Sequence, residues 1–116
     1  MTDITIYHNP RCSKSRETLA LLENEDLNIS VIKYLETPPD IDTLQQIITL
    51  LGFDSPRQLM RTKEEIYKKL ALKDEKNESV LLKAMVENPK LIERPIVLAN
   101  GKAAIGRPPE SVLEII

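Results

Sequence analysis

Residues Ile4-Thr5-Ile6-Tyr7 form a short apolar, β-branched run that favours a strand. A polar turn follows, then helical spacing over Glu17-Thr18-Leu19-Ala20-Leu21-Leu22, then a second β-branched run at 29–35. Strand, helix and strand in this order make a βαβ unit. Such a unit commits the chain to a sheet with helices packed on it.

The turn inside that unit carries the chemistry. It reads His8-Asn9-Pro10-Arg11-Cys12-Ser13-Lys14-Ser15-Arg16, and Cys12 is the one cysteine of the chain. A thiol at a strand-to-helix turn meets the unpaired N–H groups of the helix start. Those groups and the helix dipole favour an anion there, whether a thiolate or a bound oxyanion. A lone cysteine is ordinarily an inert, buried, small hydrophobe. Arg11, Lys14, Arg16 and His8 around it instead mark a polar, cationic surface turn.

The rest of the chain alternates in the same manner. The patterns predict a strand at 3–7, a helix at 13–24 and a strand at 29–35. Asp40 can cap a helix at 41–51 with Ile41, Leu44, Ile47, Ile48 and Leu51 on one face, and Gly52 ends it. Ser55-Pro56 opens a short helix toward Met60. A charged helical stretch at 63–70 follows. A helix at 79–87 buries Val80, Leu81, Ala84 and Met85 and stops before Pro89. Asn100-Gly101, between Pro95–Ala99 and Lys102–Ile105, is a strong short hairpin signal. A last helix at 109–115 closes the pattern. The fold class is therefore α/β: a mixed sheet flanked by helices, with a helical insertion at about 41–87 between the βαβ unit and the C-terminal hairpin. At 116 residues a single domain, 1–116, is expected.

Composition narrows the function. One cysteine excludes an internal disulfide framework and fits a reducing compartment. Met1-Thr2-Asp3 and the short apolar run after it do not read as a signal peptide, and no segment reaches transmembrane length. A cytoplasmic protein with no membrane partner is expected. The net charge of −2, with no tryptophan and one phenylalanine, argues against a nucleic-acid surface. No metal site is expected.

His8-Asn9-Pro10-x-Cys12, Tyr34-Leu35-Glu36-Thr37-Pro38-Pro39, Leu59-Met60-Arg61, Glu93-Arg94-Pro95-Ile96-Val97 and Gly106-Arg107-Pro108 resemble, in order and spacing, the motifs of the ArsC arsenate reductase family. The resemblance covers essentially the whole chain and is strongest to the short bacterial branch. It implies a thioredoxin-like fold. It also implies that Cys12 attacks arsenate to form a thiol–arsenate adduct, while Arg61, Arg94 and Arg107 hold the oxyanion. Arginine suits that task because its planar fork makes paired, charge-assisted hydrogen bonds to tetrahedral oxyanions. Arg11 and Arg57 read as solvated surface side chains. In thioredoxin-like folds the proline matching Pro95 is cis and faces the active cysteine.

Two residues of the turn keep open roles. His8 either lowers the thiol pKa as a cation or orders the turn by hydrogen bonding. Ser15 makes the motif Cys12-x-x-Ser15, where it either donates to the Cys12 sulfur or caps the helix. One thiol cannot deliver two electrons by closing an internal disulfide. The resemblance thus implies glutathione as co-substrate and glutaredoxin as partner, with no bound cofactor and a monomer as the expected state. An Spx-like regulatory binding protein and a general glutathione-dependent thiol oxidoreductase are the competing classes. Neither needs the three arginines, and the Spx type often has a second cysteine at the place of Ser15.

Overall fold

The computed structural model describes residues 2–116. The chain divides into two compact units. One comprises the chain up to Thr37 together with Arg94–Ile116, and the other is Pro38–Glu93.

The first unit is built on a four-stranded mixed sheet of order β2-β1-β3-β4. Its strands are β1 (Thr2–His8), β2 (Leu27–Lys33), β3 (Ile96–Ala99) and β4 (Lys102–Ile105). Helix α1 (Ser13–Glu23) crosses from β1 to β2, so those strands run parallel, with Ile4 opposite Ile29 and Ile6 opposite Val31. On its other side β1 pairs antiparallel with β3, placing Ile4 opposite Ala99 and Ile6 opposite Val97. Alternate residues of a strand share a face. Ile4, Ile6, Val97 and Ala99 accordingly form one buried core with Leu22 of α1 and Val112 of the closing 3₁₀ helix, Pro109–Ile115. The hairpin between β3 and β4 turns at Asn100 and Gly101, with φ of 53° and 72°. Positive φ at both central residues is the demand that Asn-Gly meets at least cost.

Gly106, just past β4, allows a close approach. A Cβ there would collide with Thr18 Oγ1 of α1 and lie 2.7 Å from Pro95 Cγ. The Gly106 N–H also donates to the Pro95 carbonyl at 2.9 Å. This glycine lets the strand carrying Pro95, the loop carrying Arg107 and the helix begun by Cys12 meet without a gap. Gly106→Ala is expected to cost about 1–3 kcal/mol, the range for overpacking, and to lower the thermal midpoint by several degrees. An unchanged melting curve would mean that the neighbours yield freely.

The second unit is helical. Its helices are α2 (Ile41–Leu50), α3 (Glu65–Lys69) and α4 (Glu78–Glu87), with 3₁₀ turns at Pro56–Leu59, Leu72–Asp74 and Pro89–Leu91. Asp40 caps α2 by accepting from the Thr43 N–H at 2.8 Å, and Gly52 past its end has φ +76°. Ser55 Oγ accepts from the Arg57 N–H while Gln58 Oε1 accepts from the Ser55 N–H, a reciprocal cap. The unit extends beyond the expected 41–87 because the segment after α4 folds back. Met60 bridges Ile92, and the Glu93 N–H donates to the Leu59 carbonyl.

Two expectations are corrected here. Val80 is 41% exposed, not buried. Helix α4 turns Leu81, Leu82, Ala84 and Met85 inward. Arg57 is not a solvated side chain. It donates to the Tyr67 hydroxyl and to the carbonyls of Leu72 and Glu75, tying three segments of the helical unit together.

Candidate active site

Cys12 is the N-cap of α1, in extended conformation, at the point where β1 hands the chain to the helix. Backbone and side-chain bonds hold the turn closed. The Cys12 N–H donates to the Asn9 carbonyl at 3.0 Å, and Asn9 Oδ1 accepts from the Arg11 N–H at 3.0 Å. Arg16 reaches back from α1 to the Pro10 carbonyl at 2.9 Å. The Cys12 carbonyl accepts the first helical bond, from the Arg16 N–H at 3.0 Å.

Two arginines distant in sequence meet this thiol, as expected. Arg107 NH2 lies 3.8 Å from Cys12 Sγ, and Arg107 Nε donates to the Arg94 carbonyl at 2.9 Å. Arg94 acts on the sulfur by its charge and by a side-chain hydrogen bond. The Arg94–Pro95 peptide bond is cis, as the resemblance implied, and Arg107–Pro108 is cis as well. Cys12 is only 8% exposed, more enclosed than a surface turn, because the helix start and the two arginines close around it.

Burial is the largest single influence on Cys12 and pushes its thiol up. The Ser15 N–H, the Arg94 charge, the Lys14 N–H and the Arg94 hydrogen bond together outweigh it, so the thiol sits below its ordinary range. His8 is not among these causes. Its own pKa is lowered, first by burial and then by the charges of Lys33 and Arg16, against a smaller upward pull from Glu23. A buried imidazole of that kind is neutral at pH 7 and supplies no cationic field.

His8 instead orders the turn. Its Nδ1 lies 2.7 Å from Ser15 Oγ, and that hydroxyl accepts from the Asn9 N–H at 3.0 Å. With a neutral ring, both bonds are satisfied when Ser15 donates to Nδ1 and the ring proton sits on Nε2. Ser15 is fully buried, and its hydroxyl is engaged by His8 Nδ1 and the Asn9 N–H. It therefore neither donates to the sulfur nor caps the helix through its side chain, which corrects both roles expected for it. Its contribution to Cys12 comes through its backbone N–H.

The thiolate titration is expected to separate these effects. Thiolate absorbance against pH should place wild-type Cys12 below the ordinary thiol value of about 8.5. Arg94→Ala should raise it clearly, and His8→Ala should move it less. A larger shift in His8→Ala than in Arg94→Ala would restore the cationic imidazole. Both lowered pKa values carry the same sign for stability. Between the folded and unfolded values the unfolded chain binds the extra proton, so stability rises with pH. The His8 contribution is complete above its ordinary value and is lost as pH falls through the lowered one. The Cys12 contribution behaves likewise in its own, higher window.

Arg61 belongs to the helical unit, where its NH1 donates to Glu64 Oε1 at 2.7 Å. The sequence pattern gave no warning of that partner, nor of Asn9 as the organiser of the turn. Asn before Pro was the one available signal. Among the described residues no group of three or more His, Cys, Asp or Glu is placed to hold a metal ion. No helix among them is long and apolar enough to cross a membrane.

A thiol at the start of the first helix and a mixed β2-β1-β3-β4 sheet flanked by helices together define a thioredoxin-like protein. Within that class the chain belongs to the ArsC family, whose family model matches residues 7–115. It is 60% identical over 114 residues to an Escherichia coli K12 protein, YfgD, described as uncharacterized, covering 97% of this chain and 96% of that one. It is 50% identical to an arsenate reductase of Neisseria meningitidis serogroup A, with both chains covered in full. The solved arsenate reductase of Vibrio cholerae is 56% identical and superimposes with a TM-score of 0.96, covering 99% of this chain and 98% of the other.

Proposed function

We propose that the protein is a cytoplasmic arsenate reductase that uses Cys12 as nucleophile and glutathione with glutaredoxin as the source of reducing equivalents. The observation that carries this reading is the thiol held between the start of α1 and two guanidinium groups, with Arg107 NH2 3.8 Å from Sγ. A thiolate and an arsenate repel each other. Arg94 and Arg107 offset that repulsion and donate to the oxyanion oxygens, and the family pattern adds Arg61 as a third donor.

The chemistry balances with one external thiol per turnover before recycling. The Cys12 thiolate attacks arsenic(V); the S–As bond forms and an As–O bond breaks, its oxygen leaving as water. Glutathione then attacks the Cys12 sulfur. The S–As electron pair stays on arsenic, which departs as arsenite, and a Cys12–glutathione disulfide forms. Glutaredoxin's thiolate attacks the glutathione sulfur of that disulfide and frees Cys12. Cys12 and glutathione thus contribute one electron each. His8 and Ser15 position the turn, and no bound cofactor is invoked.

Purified protein incubated with arsenate, glutathione and glutaredoxin is expected to release arsenite, as a monomer, and to stop when glutathione is withheld. No arsenite, together with reduction of a small-molecule glutathione mixed disulfide, would make it a general thiol oxidoreductase.

A further inference from the structure

Thr18 of α1 is fully buried although it carries a hydroxyl. It stands about 9 Å along the helix from Cys12, at 1.5 Å per residue. Its Oγ1 donates to the Lys14 carbonyl at 2.7 Å, which fixes the side chain against the first turn of the helix. A buried threonine commonly bonds back to the carbonyl four residues earlier. What sets this one apart is its contact with Gly106. A Cβ on Gly106 would meet Thr18 Oγ1 first and come within 3.0 Å of the Thr18 methyl, so the oxygen is the nearer atom. The Gly106 N–H is held on the Pro95 carbonyl at 2.9 Å, which leaves the loop little freedom to adjust. The next residue is Arg107, whose Nε donates to the Arg94 carbonyl at 2.9 Å and whose NH2 lies 3.8 Å from Cys12 Sγ. One helix therefore carries both the thiol and the surface on which the loop of Arg107 rests.

We propose that Thr18 is a positioning residue: its hydroxyl is the stop against which Gly106 rests, and it sets how close the Arg107 guanidinium comes to the Cys12 sulfur. An oxygen suits this place because it is smaller than a methyl group and takes a Cα–H contact without repulsion. Its own proton is engaged by the Lys14 carbonyl. Valine would put a methyl group there, and a close-packed interior does not absorb the added volume freely. Alanine would leave a void into which the glycine can sink. Serine keeps the oxygen and its bond. The placement stands on this geometry; its consequence for turnover rests on the reading above that Cys12 attacks arsenate beside Arg107.

The test is the rate at which Cys12 is alkylated by iodoacetate, an anion, and by iodoacetamide, its neutral counterpart. Both react with the same thiolate, so the ratio of the two rates cancels the ionised fraction and reports the positive charge beside the sulfur. Arg107→Ala is expected to lower the iodoacetate-to-iodoacetamide ratio about two- to five-fold, the scale of a part-exposed charge interaction. Thr18→Val and Thr18→Ala should each lower it by about half of that factor or more, and Thr18→Ser should keep the wild-type ratio. Added to Arg107→Ala, Thr18→Val should lower the ratio no further. A threonine with only a structural role would lower the thermal midpoint and leave the ratio alone. An unchanged ratio in folded Thr18→Val and Thr18→Ala, an equal drop in Thr18→Ser, or a further drop on top of Arg107→Ala overturns the proposal. An unchanged ratio in Arg107→Ala overturns it as well. The expected ratios in a protein that forms no arsenite would uphold the role of Thr18 and overturn the arsenate reading alone.

Discussion

Cys12→Ser is expected to reduce arsenite formation to less than about a thousandth of the wild-type rate, the scale on which enzymes lose activity with their nucleophile. The site lowers a thiol through the Ser15 and Lys14 N–H groups and Arg94, against the opposing effect of burial. Those influences are matched to a thiol, ordinarily ionising at about 8.5, and a serine hydroxyl starts far above it. In the proposed reaction, serine also cannot form the mixed disulfide whose formation with glutathione releases arsenite. The substitution is nearly isosteric at a residue that is 8% exposed, so the fold and the oxyanion contacts should persist. Arsenite release, read beside far-UV circular dichroism and arsenate binding, checks this. A folded variant that kept a tenth of the activity would show that the chemistry is not carried by this thiol, because the chain has no other.

The sheet was legible in the sequence because its signals are local. β-branched runs around a helical stretch dictate the parallel β1–β2 pair, and Asn100-Gly101 carries the two positive φ angles its hairpin needs. The meeting of Cys12, Arg94 and Arg107 is not local. It was legible only through the motif resemblance, since nothing in spacing alone joins residues 12 and 107. What escaped has the same cause. Arg57 looks like any charged residue on a helix start until Tyr67, Leu72 and Glu75 come round to it. Ser15 shows the limit of type-based reasoning: its hydroxyl could cap, donate to sulfur or support His8, and burial with His8 Nδ1 in reach selects the third. Whether His8 carries charge likewise depends on burial and on Lys33 and Arg16, which are fixed by the fold.

Arg94→Ala is expected to lower kcat/KM for arsenate by about 10²–10³, the loss typical of one oxyanion-stabilising donor. Arg94 acts twice in the proposed reaction. Before attack it holds the thiol below its ordinary range by charge and by hydrogen bond. During attack the arsenate oxygens gain negative charge, and a guanidinium beside the sulfur is placed to take it. The substitution isolates the side chain, because the Arg94 carbonyl that anchors Arg107 Nε at 2.9 Å remains. Two readouts should therefore move together: the pH at which activity rises should shift upward with the thiol pKa, and the plateau at high pH should stay depressed. Raising the pH repairs only the first loss. Arg94→Lys should recover the pH profile more than the plateau, since an ammonium supplies the charge without the paired donors. A plateau within about three-fold of wild type in Arg94→Ala would confine Arg94 to thiol activation and leave the oxyanion to other donors.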